Sequence, residues 1–308
     1  MKVLVLGAGA LGGYFGGRLA EAGRDVTFLV RARRAETLRR DGLRIESPFG
    51  DATLPVAVAT AAEAGFGLVL LSCKAYDLDD AIAAIRPAVE GGAVVLPVLN
   101  GLSHIETLRR AFGPGAVLGG LAKIQANLAA DGTVRQFNDW RWITFGELDG
   151  RASPRSEAVA RLFDGAVGVE AKAVPDIAQR MWEKLVHLGT SAIGTVLMRA
   201  NVGEIVRAGG RDLLLTVLQR NAAVAAAHGH PMPESFLAEY RSIFSDAGSG
   251  YSTSLLRDIE LGNRTEGEHI LGYLAEAAHR AGVDATLHDL ARLHAASYDQ
   301  RRAANRLP

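Results

Sequence analysis

The feature that most limits how this chain can fold lies within its first twenty residues. Val3 to Leu6 form an unbroken apolar run, the pattern of a strand buried on both faces of a parallel sheet. The run passes directly into Gly7, Gly9 and Gly12, spaced G-x-G-x-x-G, and then into a helical pattern through Leu19 and Ala20. Strand, glycine turn and helix in this order is the context in which that spacing reads as a dinucleotide site. Gly7 allows the tight turn, Gly9 lets the backbone approach a pyrophosphate, and Gly12 permits close helix–sheet packing. The helix N-terminus turns unpaired N–H groups toward the anion. The expected cofactor contacts are therefore Gly7, Gly9, Ala10, Leu11 and Gly12.

The second apolar run, Val26 to Val30, ends in Arg31, with Arg33 and Arg34 close behind. An NAD site usually carries an acid about 20 residues past the glycines, on the ribose 2′-hydroxyl. No acid lies between Asp25 and Glu36. Guanidinium groups bind a 2′-phosphate with charge-assisted bonds, where a carboxylate would repel it. Arg31 directly follows the strand and is the best placed of the three. The expected cofactor is NADP(H).

A chain of 308 residues has room for two domains, and its 48% apolar content provides a core. The 34 basic and 34 acidic side chains cancel, so neither nucleic acid nor a membrane surface is an expected partner. Cys73 is the single cysteine; no intramolecular disulfide can form, which fits a reducing compartment. No apolar stretch approaches the roughly 18 residues of a membrane span, and the N-terminus enters a strand with no signal-peptide pattern. A cytoplasmic location is expected.

The first half alternates short apolar runs with helical patterns, as a doubly wound parallel sheet does. Strands are expected at 68–73, 94–99, 117–121, 133–137 and 142–145, with a β-excursion at 42–58 around Pro48-Phe49-Gly50-Asp51 and a helix at 156–163. Beyond Pro175 only helical patterns remain, at 178–186, 211–227, 233–244, 271–280 and 287–304. The expected architecture is an α/β domain over residues 1–174 followed by an all-α domain over 175–308. That alanine-rich helical domain is compatible with a homodimer.

Ligands of open α/β sheets bind beyond the carboxyl ends of the strands. Lys74 follows LVLLSC and Asn100 follows VVLPVL at two such ends. There a lysine can reach cofactor or substrate oxygens, and an asparagine amide can orient a carboxamide or ketone. In the helical half, Lys184 lies in MWEKLVHLG and Glu266 in the polar stretch RTEGEH. A lysine in a partly dry cleft can donate a proton to a carbonyl oxygen, although spacing alone also allows both groups to be solvated helix charges. His228 and His230, or Glu266 with His269, do not complete a metal-ligand signature, and no metal is expected.

Taken together, GAGALG at 7–12, Arg31, Lys74 in SCKAYD, Asn100-Gly101, the W-x-K-L pattern at 182–185 and a late Ser-…-Arg-Thr-Glu element at 254–266 resemble the ketopantoate reductases (2-dehydropantoate 2-reductases) over essentially the full length. The resemblance implies a Rossmann-type domain with a C-terminal α-helical domain, and NADPH-dependent reduction of an α-keto acid in pantothenate synthesis. It implies that Lys184 is the general acid toward the C2 carbonyl oxygen and that Glu266 contacts the substrate and the lysine. Asn100 is then near nicotinamide and substrate, Ser254 binds the substrate carboxylate, and Arg31 and Lys74 serve the cofactor. One departure stands out. Where the family pattern K-L-x-x-N-x-x-x-N carries asparagines, this chain has Leu188 and Ala192. Thr190, Ser191 or Thr195 could supply hydroxyls instead, Ser191 being the expected substrate contact. A different 2-keto acid or an imine is the alternative substrate, and a non-catalytic NADP(H)-binding regulator is the alternative of another class.

Overall fold

A computed structural model describes residues 1–307, which fall into two compact units. The first comprises Met1–Asn100 and His104–Ala178, the second Gly101–Ser103 and Gln179 onward.

The first unit is built on strand β1 (Val3–Leu6), helix α1 (Ala10–Glu21), β2 (Val26–Leu29), α2 (Ala32–Asp41), β3 (Leu43–Glu46), β4 (Ala52–Leu54), β5 (Ala57–Ala59), β6 (Leu68–Leu71), α3 (Leu78–Glu90), β7 (Val94–Pro97), α4 (Ser103–Phe112), β8 (Gly119–Leu128), β9 (Val134–Gly146), α5 (Pro154–Leu162) and β10 (Glu170–Ala173). Five strands make a parallel sheet in the order β5-β2-β1-β6-β7. Successive side chains of a strand point to opposite faces, and both faces are buried here. Val3, Val5, Phe28, Leu68 and Leu70 enter one core; Leu4, Leu29, Val69 and Leu71 enter the other. This two-sided burial is why the strands read as continuous apolar runs rather than as alternation.

A second sheet, ordered β10-β9-β3-β4 with β8 also on β9, packs into the first of these cores through Leu43, Ile45, Val134, Ile143 and Phe145. The excursion at 42–58 is the antiparallel pair β3–β4, followed by β5 joining the parallel sheet. The two strands expected at 133–137 and 142–145 are one continuous strand, β9, antiparallel to β8 with a register shift between Ile124 and Ala126. Arg18 on α1 is fully buried, donating to the Gly50 carbonyl at 2.6 Å and to Glu21 at 2.7 Å, so that helix α1 holds the β3–β4 turn.

The second unit is helical: α6 (Ile177–Met198), α7 (Val202–Arg207), α8 (Arg211–Ala227), α9 (Glu234–Ile243), α10 (Ser254–Glu260), a π-helical turn at Glu268–Gly272, α11 (Tyr273–Ala281) and α12 (Thr286–Ala303). Its core has two parts, one around Trp182, Leu185, Leu218 and Phe244, the other around Ala192, Val196, Val217 and Ala295. Helix α6 spans 22 residues and continues well past the expected end at 186. Its hydroxyl residues do not interrupt it, because Thr190, Ser191 and Thr195 each donate to the carbonyl four residues back, at 2.7, 2.9 and 2.8 Å. No helix among the described residues is long and apolar enough to cross a membrane.

Candidate active site

In the first unit the chain leaves β1 toward β2 on one side and reaches β6 on the other. That reversal of strand order opens a crevice at the carboxyl end of β1, where ligands of open α/β sheets bind. The glycine loop lies there. Gly7 has φ +88°, a left-handed conformation open to glycine. A Cβ on Gly12 would stand 2.3 Å from the Gly7 carbonyl oxygen and from Ser72 Oγ, so the helix sits directly on the strand ends. A Cβ on Gly9 would meet no atom within 4 Å. Helix α1 begins with no side-chain cap and no acid in its first turn, leaving its N–H groups and dipole directed at an incoming anion. Ala10 and Leu11 form that first turn.

Arg31 caps the start of α2 with its side chain 83% exposed, its guanidinium 3.7 Å from the Asp77 carboxylate. Lys74 is exposed at the end of β6, immediately before the turn 75–77. Asn100 closes the segment after β7 and is half-buried. An uncapped helix start, open space over Gly9 and a basic rather than acidic residue after β2 together fit a dinucleotide carrying phosphate.

Two residues of this half have roles that the sequence does not show, Arg34 standing there only as an alternative to Arg31. Ser72 Oγ donates to the Leu6 carbonyl at 2.9 Å and so fixes the strand end beneath the loop. Arg34 donates to the Ala8 carbonyl at 3.2 Å and to the Gly132 carbonyl at 3.0 Å, fastening the glycine loop to the β8–β9 turn. The serine had a signal in standing directly after an apolar run. The arginine had none, since its partner at position 132 is 98 residues away.

In the second unit Lys184 lies on α6 and Glu266 just ahead of the π-helical turn. Lys184 is half-buried by surface, yet protein surrounds its ammonium so closely that desolvation dominates and pulls its pKa from 10.5 down to about 8. The buried Glu266 carboxylate opposes this, its charge favouring the ammonium form. Burial thus brings an ordinarily inert cation into the range where a proton can move near neutral pH, and the carboxylate keeps it charged there.

Ser254 is the first residue of α10; the N-cap is its neighbour Thr253, whose hydroxyl accepts from the Leu256 N–H at 3.2 Å. Ser191 is two turns along α6 from Lys184 and is hydrogen-bonded to the Tyr251 hydroxyl. Thr190 accepts from the Asn221 amide at 3.0 Å while donating within its own helix. Leu188 is half-buried, whereas Ala192 is fully buried in the core. One turn beyond Lys184, His187 stacks on Tyr240 at 4.5 Å and lies 5.5 Å from Tyr251, and burial pushes the Tyr240 hydroxyl up to about 12. That face of the helical unit is aromatic, with the Glu183 and Glu239 carboxylates beside Tyr240 and Arg257 beside Tyr251. His228 and His230 pack against the Trp182 indole at 5.1 and 5.7 Å. Ser103 and His269 share a 2.6 Å hydrogen bond, which ties the segment after Asn100 into this unit.

The model of the family described as ketopantoate reductase PanE/ApbA matches residues 3–150, and that of its C-terminal part matches residues 176–293. The chain belongs to the ketopantoate reductase family. This ketopantoate reductase family member is accordingly an oxidoreductase acting on a CH–OH group, within a family of NAD(P)-dependent enzymes. It is 36% identical to the Bacillus subtilis (strain 168) protein named "Uncharacterized oxidoreductase YkpB", over 92% of this chain and 94% of that one. It is 32% identical to the 2-dehydropantoate 2-reductase of Archaeoglobus fulgidus over 92% of each. The crystal structure of 2-dehydropantoate 2-reductase from Methylococcus capsulatus superposes with a TM-score of 0.87 at 28% identity, covering 98% of both chains. A ketopantoate reductase thus has the expected arrangement of a parallel-sheet unit followed by a helical one.

Proposed function

We propose that this enzyme reduces 2-dehydropantoate (ketopantoate) to pantoate with NADPH, serving pantothenate synthesis in the cytoplasm. Residues 1–174 bind the cofactor, whose pyrophosphate lies on Gly7, Gly9, Ala10, Leu11 and Gly12 and whose 2′-phosphate is held by Arg31. Lys74 and Asn100 complete the cofactor side. The cofactor supplies the hydride that reduces the C2 ketone.

Residues 175–308 hold the substrate and move the proton. Lys184 donates a proton to the ketone oxygen and stabilises the alkoxide as charge develops there, an electrostatic contribution that weighs heavily in such barriers. Glu266 keeps Lys184 protonated and orients it. Ser254, Ser191 and Asn100 position the substrate, which converts an encounter into an aligned reaction. The observation that carries this reading is the pairing of Lys184, brought to a pKa of about 8 by burial, with the buried carboxylate of Glu266.

A second reading keeps the chemistry and changes the keto acid. It is favoured by one specific observation, the apolar Leu188 and Ala192 beyond Lys184 where the family pattern carries two amides. Oxidation of NADPH followed at 340 nm across a panel of 2-keto acids decides between them. Fast turnover of ketopantoate supports the first reading, and preference for a keto acid lacking the 4-hydroxyl supports the second. No turnover of any member would leave a cofactor-binding protein without the reaction and overturn both.

A further inference from the structure

Glu266 is carried by a stretch without helix or strand: α10 ends at Glu260 and the π-helical turn begins at Glu268. A carboxylate on such a segment acts at a fixed place only if something else holds the backbone. Helix α12 does so at four points. Arg302 donates from Nε to the Gly262 carbonyl at 2.8 Å, and the Tyr298 hydroxyl donates to the Asn263 carbonyl at 2.9 Å. The Asp299 carboxylate accepts twice from Thr265, from its backbone N–H at 3.1 Å and from its hydroxyl at 2.6 Å. The Thr265 hydroxyl then accepts from the Gly267 N–H at 3.2 Å, so the bonds reach both sides of the Glu266 residue. Gly267 lies against the same helix; a Cβ there would stand 2.6 Å from that of Ala295, one turn before Asp299.

We propose that Asp299 is a positioning residue for the reaction: by gripping Thr265 it fixes the backbone from which Glu266 acts on Lys184. The proposal rests on the roles given above to Lys184 and Glu266. Arg302 and Tyr298 hold only the beginning of the segment. Asp299 alone of the three anchors the residue adjoining Glu266, and it does so with charge-assisted bonds, which are shorter and stronger than neutral ones. Reaction rates are steeply sensitive to such placement, since a displacement of about 1 Å can cost on the order of 10²-fold.

The test compares full-length Asp299→Ala, Asp299→Asn, Thr265→Val and Glu266→Gln, together with the double variant Asp299→Ala/Glu266→Gln. Two quantities are read: kcat and KM for keto-acid reduction, and the pH midpoint of Lys184 acetylation by acetic anhydride, measured by mass spectrometry without cofactor or substrate. Glu183 and His187, which flank Lys184 along α6, are unchanged throughout. Asp299→Ala is expected to lower kcat about tenfold with a smaller change in KM. It should also move the Lys184 midpoint down by about half a unit or more, as a less fixed carboxylate favours the ammonium less. Asp299→Asn, which keeps an acceptor for the Thr265 N–H, should recover most of both, and Thr265→Val should fall between. The double variant should match Glu266→Gln alone, because a residue acting through Glu266 has nothing left to position. A folded Asp299→Ala with an unmoved midpoint overturns the proposal. So does Asp299→Asn as impaired as Asp299→Ala, or an additive double variant. If Asp299→Ala does not fold, Asp299→Asn and Thr265→Val decide by the same midpoint. Normal kcat and midpoint in Glu266→Gln would overturn the Lys184–Glu266 reading itself, whereas an impaired Glu266→Gln beside a normal Asp299→Ala defeats only the role of Asp299.

Discussion

The guanidinium of Arg31 lies 3.7 Å from the carboxylate of Asp77, with Arg31 almost fully in solvent. An exposed pair of this kind contributes about 0–1 kcal/mol, less than a charge-assisted bond to a phosphate, worth about 1.5–3 kcal/mol. In the proposed cofactor role, a 2′-phosphate would therefore draw Arg31 away from Asp77 at little cost. Arg31→Ala is expected to weaken NADP(H) binding tenfold or more, on the order of 1.4 kcal/mol, and to leave NAD(H) binding nearly unchanged. Asp77→Asn should tighten NADP(H) binding a few-fold by removing the competitor. Fluorescence titration with both reduced cofactors measures the two effects, and an equal loss for both cofactors in Arg31→Ala would reassign Arg31 to a structural role.

Lys184→Ala should reduce kcat by about 10² or more, as expected when a group that both donates a proton and stabilises an oxyanion is removed. NADPH affinity should hardly move. On the proposed mechanism the protonated lysine is the active form, so reduction should be fast below its pKa of about 8 and decline as pH rises through that value. A pH profile of kcat/KM that stays flat to pH 9.5 would remove Lys184 from the chemistry.

Leu188 and Ala192 separate once their surroundings are known. Leu188 is half-buried, so Leu188→Asn is expected to fold and to raise kcat/KM for ketopantoate relative to a 2-keto acid lacking the 4-hydroxyl. Ala192 is fully buried beside Ile193, Val196 and Leu271. An amide placed there is both oversized and unpaired, and Ala192→Asn should lose about 1–3 kcal/mol of stability in urea. High ketopantoate efficiency in the unmutated enzyme, unchanged by Leu188→Asn, would show that the missing amides do not matter.

A buried histidine makes stability depend on pH in the acid range. His288 is fully buried and donates from Nε2 to the Asn221 side-chain oxygen at 2.8 Å, while Nδ1 has no hydrogen-bond partner among the described residues. Burial foremost, with the Arg220 charge, lowers its pKa to about 4. The unfolded chain takes up this proton near pH 6.5 and the folded chain only near 4, so stability should fall as pH drops across that window and rise again on return. The full effect is on the order of 3 kcal/mol. His288→Gln, compared with the unmutated protein by urea unfolding at pH 7 and pH 4.5, should show a flatter dependence; parallel slopes would contradict the assignment.

Local rules made the first unit readable. Val3–Leu6, the glycines and Arg31 follow one another in sequence, and each acts through its own backbone or its immediate neighbours. Strand β9 was harder to see because Asn138 and Asp139 interrupt its apolar pattern, although β8 continues to pair on either side of them. Helix α6 runs past the expected end at 186 because Thr190 and Ser191, poor helix formers in isolation, bond their hydroxyls back onto the helix. The Lys184–Glu266 pair became legible only through the family resemblance, since the two are 82 positions apart and neither is distinctive alone. Arg34 and Asp299 had no local signal: their partners, the carbonyls of Ala8 and Gly132 for the one and the N–H and hydroxyl of Thr265 for the other, lie 26, 98 and 34 positions away.

The link from Arg34 to Ala8 and Gly132 bears on the thermodynamics of cofactor capture. A glycine-rich loop without such a link keeps backbone freedom, and each residue immobilised on binding would cost about 1–2 kcal/mol of backbone entropy. Here that freedom is already lost when the protein folds. On the proposed cofactor role the loop is held in place before binding, so association should carry little of the unfavourable entropy of ordering a chain. Replacing Arg34 with Ala would move this entropy loss from folding to binding, giving a more favourable binding enthalpy, a more adverse entropy and a slower approach to equilibrium.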